Sequence, residues 1–206
     1  MLGRKRAKTA EHEDRVVGDE EILAAAKTLL ASDGLIAITP QRLAAAAGVP
    51  ADRFDVEAVA AQAYRETAVA EIAEVRRTVL ANPSPVEQMR ALLSWLSTAP
   101  EDSDGVRLEA WALARHNPGL RSAVQDGEAA WHGLVASVIR RGARSGEFPQ
   151  ADADDIAAHV ISLIDGINAY QLIGYRSDFD RMRLLTRVVQ AELGMIWGPK
   201  LADALS

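Results

Sequence analysis

Apolar residues along the chain recur at the three-and-four spacing of α-helices and nowhere alternate for long enough to make a strand. Ile22, Ala25, Ala26, Leu29 and Leu30 follow that period behind Asp19, Glu20 and Glu21, acids that suit the positive end of a helix dipole, and Gly34 stops the segment. Thr39-Pro40 sets an N-cap and a proline at the first helical position of a second helix. It continues through Leu43, Ala44 and Ala47 and halts at Gly48-Val49-Pro50. Two short helices joined by a tight glycine turn make the first two thirds of a helix-turn-helix. A long helix is predicted from near Asp55 to about Leu80, with Val59, Ala63, Ala70 and Ala73 turned inward, and Pro83 closes it.

Ser84-Pro85-Val86-Glu87 reads as a capping box opening a helix whose face is Val86, Met89, Leu92, Leu93 and Leu96. Residues 100–104 read as a polar loop, followed by a helix carrying Leu108, Trp111, Ala112 and Arg115. Asn117-Pro118 restarts the chain into a long helix to about Gly146, with Leu120, Val124, Trp131, Leu134, Val135 and Val138. Two helices complete the pattern, from the acidic cluster at Asp152 to near Gly174 and from about Asp178 to Gly194. The prediction is an all-α chain of about nine helices. The penultimate helix is apolar on two faces: Ile156, Val160, Leu163, Ile167 and Tyr170 on one, Ile161, Ile164 and Leu172 on the other, interrupted by Asp165 and Asn168. Such a helix must be covered on both sides. The last helix, with Met182, Leu185, Val188, Val189 and Leu193, has the same character. A two-fold dimer through these helices is expected, with Ile156, Val160, Ile167, Leu185 and Val189 as interface candidates.

Charge changes the picture more by its distribution than by its sum. The 206 residues carry a formal net charge of −6, at first sight a poor match for nucleic acid. Residues 1–54, however, hold eight Lys/Arg and eight Asp/Glu, so the whole surplus of acid lies in residues 55–206. Arg4, Lys5, Arg6 and Lys8 form a basic run before any acid, read either as a solvated terminus or as an arm that reaches nucleic acid. The chain has no cysteine, which excludes disulfides, thiol nucleophiles and Cys-ligated metal. Its four histidines show no metal-ligand spacing, and no nucleophile elbow, phosphate loop or dinucleotide fingerprint is present. A non-enzyme without metal or cofactor is expected. No apolar stretch approaches the roughly 20 residues that span a bilayer, and no secretory leader is recognisable, so a cytoplasmic protein without membrane contact is expected.

The run ILAAAKTLLASDGLIAITPQRLAAAAGVP, residues 22–50, resembles the N-terminal segment of the TetR family of bacterial regulators, with Gly34, Thr39, Leu43, Ala44, Ala47, Gly48 and Val49 as counterparts. WALARHNPGLR, residues 111–121, IRRGARSGEF, residues 139–148, and the pair Asp165-Gly166 are similar to the ligand-binding domain of a common TetR subgroup. The resemblance implies a DNA-binding head with a basic arm at 1–54 and an effector-binding and dimerisation domain at 55–206. It further implies a homodimeric, ligand-responsive regulator, a repressor, that binds operator DNA and is released by a small effector. The alternative is a TetR-like ligand-binding or protein-interaction module without specific DNA binding.

The sequence departs from the family between the two parts. Family members follow the Gly-Val with a pattern close to S-K-G-T-L-Y-H-H-F, whereas here Pro50-Ala51-Asp52-Arg53-Phe54 leads straight to the next helix. The recognition helix is thus expected to be barely one turn, where about two are needed to bring several side chains to base edges. The candidate DNA contacts are Arg4, Lys5, Arg6, Lys8, Thr39, Gln41, Arg42 and Arg53. The family hides its effector between the helices of the second domain. There Tyr64, Met89, Trp95, Trp111 and Trp131 are candidate walls, and Arg115, His132, Asp165 and Asn168 candidate polar contacts, for a small, mostly apolar or aromatic effector. Each of these residues alone is more often core packing or a satisfied polar group. Asp165, flanked by Ile164 and Ile167, needs a partner if buried.

Overall fold

The computed structural model describes residues 18–98, 101–149, 152–175 and 178–194, and the basic run at Arg4, Lys5, Arg6 and Lys8 lies outside them. The described residues form eight α-helices and two single 3-10 turns, with no strand among them. In order these are α1 (Asp19–Asp33), a turn (Leu35–Ala37), α2 (Pro40–Ala47), a second turn (Ala51–Arg53), α3 (Val56–Leu80), α4 (Pro85–Thr98), α5 (Glu101–Ala114), α6 (Pro118–Ser145), α7 (Ala153–Leu172) and α8 (Asp178–Glu192).

The helix starts are set by side chains that accept the free backbone N–H groups of the first turn, each worth about 1 kcal/mol. Thr39 Oγ1 accepts from Arg42 N at 3.3 Å, Asp55 Oδ1 from Glu57 N at 2.9 Å, and Asn117 Oδ1 from Leu120 N at 2.9 Å. Ser84 Oγ accepts from Glu87 N at 3.2 Å and donates to the Glu87 carboxylate at 3.1 Å, so the pair closes on itself rather than reaching back to the backbone. Asp152 caps α7 in the same way, accepting from Asp154 N at 3.0 Å. Two expectations change. Residues 101–104 are helical, so α5 is a turn longer at its start than its apolar pattern indicates. In α3 Ala63 is buried as expected, with Ala61 and Tyr64, but further along the buried face is Ile72, Val75 and Val79, while Ala70 and Ala73 are exposed.

Two apolar cores lie end to end. The body core gathers Ile72, Val75 and Val79 of α3, Met89, Leu92 and Leu93 of α4, Trp131, Leu134, Val138 and Ile139 of α6, Ile156, Val160, Ile164 and Ile167 of α7, and Leu185 and Val189 of α8. The head core gathers Ile22, Ala26 and Leu30 of α1, Leu35 and Ile38, Leu43 of α2, Ala61, Ala63 and Tyr64 of α3, Ala110 and Ala114 of α5, and Leu120, Ala123 and Val124 of α6. The head core therefore runs past residue 54 and takes in one end of α3, α5 and α6. Ion pairs reinforce this seating, Lys27 with Glu66 between α1 and α3, and Arg65 with Asp126 between α3 and α6.

The 139–148 motif has a packing reason. After α6 the chain turns at Gly146, Phe148 N donates back to the Gly142 carbonyl at 3.1 Å, and the Phe148 ring lies on Gly142, where any side chain would overlap it. Glu147 then accepts from Val86 N at 3.3 Å, closing the start of α4. The 111–121 motif is also structural in part: Arg121 donates from Nε to the Ala114 carbonyl at 3.1 Å and from Nη2 to the Arg115 carbonyl at 3.0 Å, finishing α5.

Candidate functional site

Between the two cores, three charged side chains meet largely out of water. Arg107 of α5 donates from Nε to Glu128 Oε1 at 3.0 Å and from Nη2 to Glu128 Oε2 at 2.7 Å, a two-pronged fork onto α6. The same Nη2 stands 2.7 Å from Asp165 Oδ1 on α7, and the Arg107 and Asp165 side chains are only 17% and 15% exposed. The guanidinium carbon lies 5.4 Å from the centre of the Trp111 ring, one turn further along α5. Trp111 Nε1 donates to Glu128 Oε1 at 3.1 Å. Burial on its own would lower the Arg107 pKa; the bond to Glu128 and the charges of Asp165 and Glu128 outweigh it and hold the group above its ordinary value. Tyr64 of α3 is close enough to feel the same charges. Burial pushes its hydroxyl up to about 12, Arg107 opposes that shift, and Glu128 and Glu71 add to it. Glu128 and Asp165 thus share the Arg107 guanidinium beside Trp111.

The other side chains nominated for this site separate into distinct places. Met89 and Trp131 are buried in the body core, and Trp95 lies against Trp131 with ring centres 5.2 Å apart. Asn168 is buried one turn beyond Asp165. His132 Nε2 donates to the Asp154 carbonyl at 3.0 Å at the start of α7, and Arg115 is exposed just past the end of α5. Ile156, Val160, Ile167, Leu185 and Val189, chosen for a subunit interface, all face the chain's own body core. Among the described side chains, the large apolar ones that α7, its end and α8 leave exposed are Tyr170, Leu172, Ile173, Tyr175 and Leu184.

At the far end of the head, Gly48 ends α2 in the left-handed region at φ +70°. Pro50 then leads into a single 3-10 turn, Ala51–Arg53, with all three residues exposed. Phe54 packs back on the head core, so no second turn forms before α3. Gln41 and Arg53 point to solvent. Arg42 does too, but its Nη2 is bound to Asp33 Oδ2 at 2.6 Å. The hydrogen bond from Ser32, with that bond and the Arg42 charge, holds the Asp33 carboxyl below its usual range. Thr39 spends its hydroxyl on capping α2. Among the described residues no three His, Asp or Glu converge to hold a metal, and no helix is long and apolar enough to cross a membrane.

A family model described as the C-terminal domain of BetI-type transcriptional repressors matches residues 85–194, more than half of the chain. The chain belongs to the TetR family of transcriptional regulators. Solved structures agree on the fold. A transcriptional regulator from Saccharomonospora viridis in complex with choline superposes with a TM-score of 0.71 at 23% identity, over 83% of this chain and 94% of that one. NemR of E. coli in its reduced form gives 0.69 at 16% identity, covering 84% and 96%. FadR from Bacillus subtilis in complex with stearoyl-CoA gives 0.62 at 16% identity, covering 86% and 99%. No curated protein matches the sequence.

For this TetR-family chain, sequence reasoning found Asp165, Trp111 and Tyr64 but missed the two residues that join them, Arg107 and Glu128. Arg107 stands four residues before Trp111 and so shares its helix face, a signal available in the sequence. Glu128 is a charge three residues before the buried Trp131, but its pairing across 21 residues becomes visible only when α5 and α6 pack.

Proposed function

We propose that this protein is a ligand-responsive transcriptional repressor that binds operator DNA as a homodimer through a head at 1–54 and is released when a small effector enters the domain at 55–206. The observation that carries the reading is the Arg107–Glu128–Asp165 network, set between the two cores and beside Trp111 and Tyr64. Charge is costly to bury without use, and here it sits where the family's ligand domain is matched. The network already holds one delocalised cation, Arg107, against Trp111 and two carboxylates, which favours an effector that is a small organic cation with apolar or aromatic substituents. The neighbour holding choline supports that choice of probe. Exposed Tyr170, Leu172, Ile173, Tyr175 and Leu184 are the proposed meeting surface of the two subunits. The proposed location is the cytoplasm.

DNA contact is assigned to Gln41, Arg42 and Arg53 with the arm residues Arg4, Lys5, Arg6 and Lys8. The single turn at Ala51–Arg53 and the capture of Arg42 by Asp33 favour a second reading, a TetR-like ligand-binding or protein-interaction module without specific DNA binding. Titration of the purified protein with DNA from the promoter of its own gene, with and without choline, separates the two. The first reading expects specific binding that choline weakens, and a rise of several degrees in Tm with excess choline. An intact dimer that binds this DNA no better than unrelated DNA would establish the second.

A further inference from the structure

Helices α3 and α6 pack along one another and present two flanks. Tyr64 of α3 and Glu128 and Trp131 of α6 belong to the inner flank, with the charged network and the two cores. Arg65, Val69, Ile72 and Arg76 succeed one another at helical spacing, roughly a third of a turn round α3 from Tyr64. Ala123, Gly127 and Ala130 stand about a third of a turn round α6 from Glu128 and Trp131. Between these two stripes lies a half-open groove of about 250 Å³. It runs from Arg65 to Arg76, about 16 Å of helix. Small side chains keep its floor low and apolar. No neighbour stands within 4 Å of the place that a Cβ at Gly127 would take, and Val69 is left 62% exposed.

The two ends of the groove differ in charge. At one, Arg65 is paired with Asp126, and its Nη2 donates to Ser122 Oγ at 3.3 Å. At the other, Arg76 has no ion-pair or hydrogen-bond partner among the described residues, and Glu74, two residues before it, is taken by Arg77. The one open charge on the groove is therefore a guanidinium, whose planar fork matches a carboxylate. We propose that this outer groove is a second small-molecule site, for a carboxylate with a short apolar body: the head on Arg76, the body over Val69 and Gly127. The volume suits such a ligand, since small-molecule pockets begin at about 300 Å³. A protein partner needs about 800 Å² on each side, more than a cleft of this size between two helices offers. The proposed subunit surface lies on α7 and α8, so a dimer formed there leaves α3 open. The site is separate from the Arg107–Glu128–Asp165 network and does not rest on the reading of that network.

The test titrates the full chain, labelled at its methyl groups, with octanoate, octan-1-ol and octylamine, each kept below the concentration at which it self-associates. Octanoate saturably shifts the methyl signals of Ala68, Val69, Ala123 and Ala130 and leaves Ile164 and Ile167, beside Asp165, in place. The alcohol and the amine share the body but lack the anion, and bind about tenfold more weakly. Arg76→Ala lowers the affinity for octanoate by about tenfold and leaves octan-1-ol unchanged. Arg76→Lys, which keeps the charge without the fork, lowers it by about threefold. Gly127→Leu fills the floor, removes binding of all three probes and folds at least as stably as the wild type, because a mid-helix glycine is replaced by a better helix former. Equal affinity for octanoate and octan-1-ol would overturn the carboxylate assignment. No shift with octanoate, or shifts at Ile164 and Ile167 in place of the groove, would overturn the site. Groove signals that move with protein concentration alone would show that a second copy covers it, and would overturn it too. Failure of the repressor reading appears separately, as loss of specific DNA binding by the wild type.

Discussion

The two cores are built from different material. The body core is filled by bulky side chains, with Met89, Leu92, Leu134, Ile139 and Ile164 fully enclosed. The head core leans on small ones, Ala26, Ala61, Ala63, Ala110, Ala114 and Ala123, around a few leucines and isoleucines. Buried apolar area stabilises by about 25 cal/mol per Å², so a core of alanines holds its helices with less energy per residue. The head makes up the difference with directional contacts: Lys27 to Glu66, and Glu109 to Leu35 and Ile36. A part seated by a few specific bonds has more than one position available to it at low cost. A part seated by interdigitated bulk does not. This contrast suits the ligand-controlled regulator proposed above, and the charged network lies on the seam between the two halves.

The largest effect expected from breaking that seam is from Arg107→Ala. It removes the guanidinium that Glu128 and Asp165 share and should cost about 3–5 kcal/mol in chemical denaturation. A loss under about 1 kcal/mol would mean that water already screens the network. Alkali probes the same place. The Tyr64 pKa is raised from 10 to about 12 in the folded chain, so between those values the folded state keeps a proton that the unfolded state has lost. The associated stability is full below pH 10 and disappears as pH rises to 12, about 3 kcal/mol for a shift of two units. Tyr64→Phe should flatten this fall, and phenolate absorbance should show one of the three tyrosines titrating last.

How much of this could be read in the sequence differs between the halves in the same way. The punctuation of the helices was legible at Thr39-Pro40, Ser84 and Asn117-Pro118, because caps are local chemistry. The short turn after Pro50 was legible because residues 50–54 are shorter than the family pattern they replace. The phase of α3 was not: a helix in which alanines lie on every side carries little periodic signal, and Ala70 and Ala73 proved to be outward. The helical start of α5 was hidden behind a polar run that reads as a loop. Pairs such as Arg107 with Glu128, or Glu109 with Leu35, join residues 21 and 74 positions apart and exist only through packing.

Two smaller effects sharpen the comparison on the head side. Gly34→Ala should cost about 1–3 kcal/mol through a strained φ and the displaced Glu109 carboxylate. Its effect on amide exchange should be confined to α1, α2 and the turn between them, with α7 as quiet as in the wild type. Asp33→Asn should leave stability nearly unchanged, since the pair with Arg42 is exposed and screened by solvent. By freeing Arg42 it should tighten DNA binding severalfold and steepen the dependence of log K on log salt by about 0.9 for each new phosphate contact.

The most direct test of the account as a whole is the salt dependence of binding by the 206-residue chain, as the proposed dimer, to DNA from the promoter of its own gene. With the recognition helix reduced to one turn, affinity must come from phosphate contacts by Arg4, Lys5, Arg6, Lys8 and Arg53. The account predicts a slope of log K against log salt of about −3.6 or steeper, the value for four contacts, collapsing when the four arm residues are changed to alanine. A slope near zero in the wild type, with the dimer intact, would contradict it.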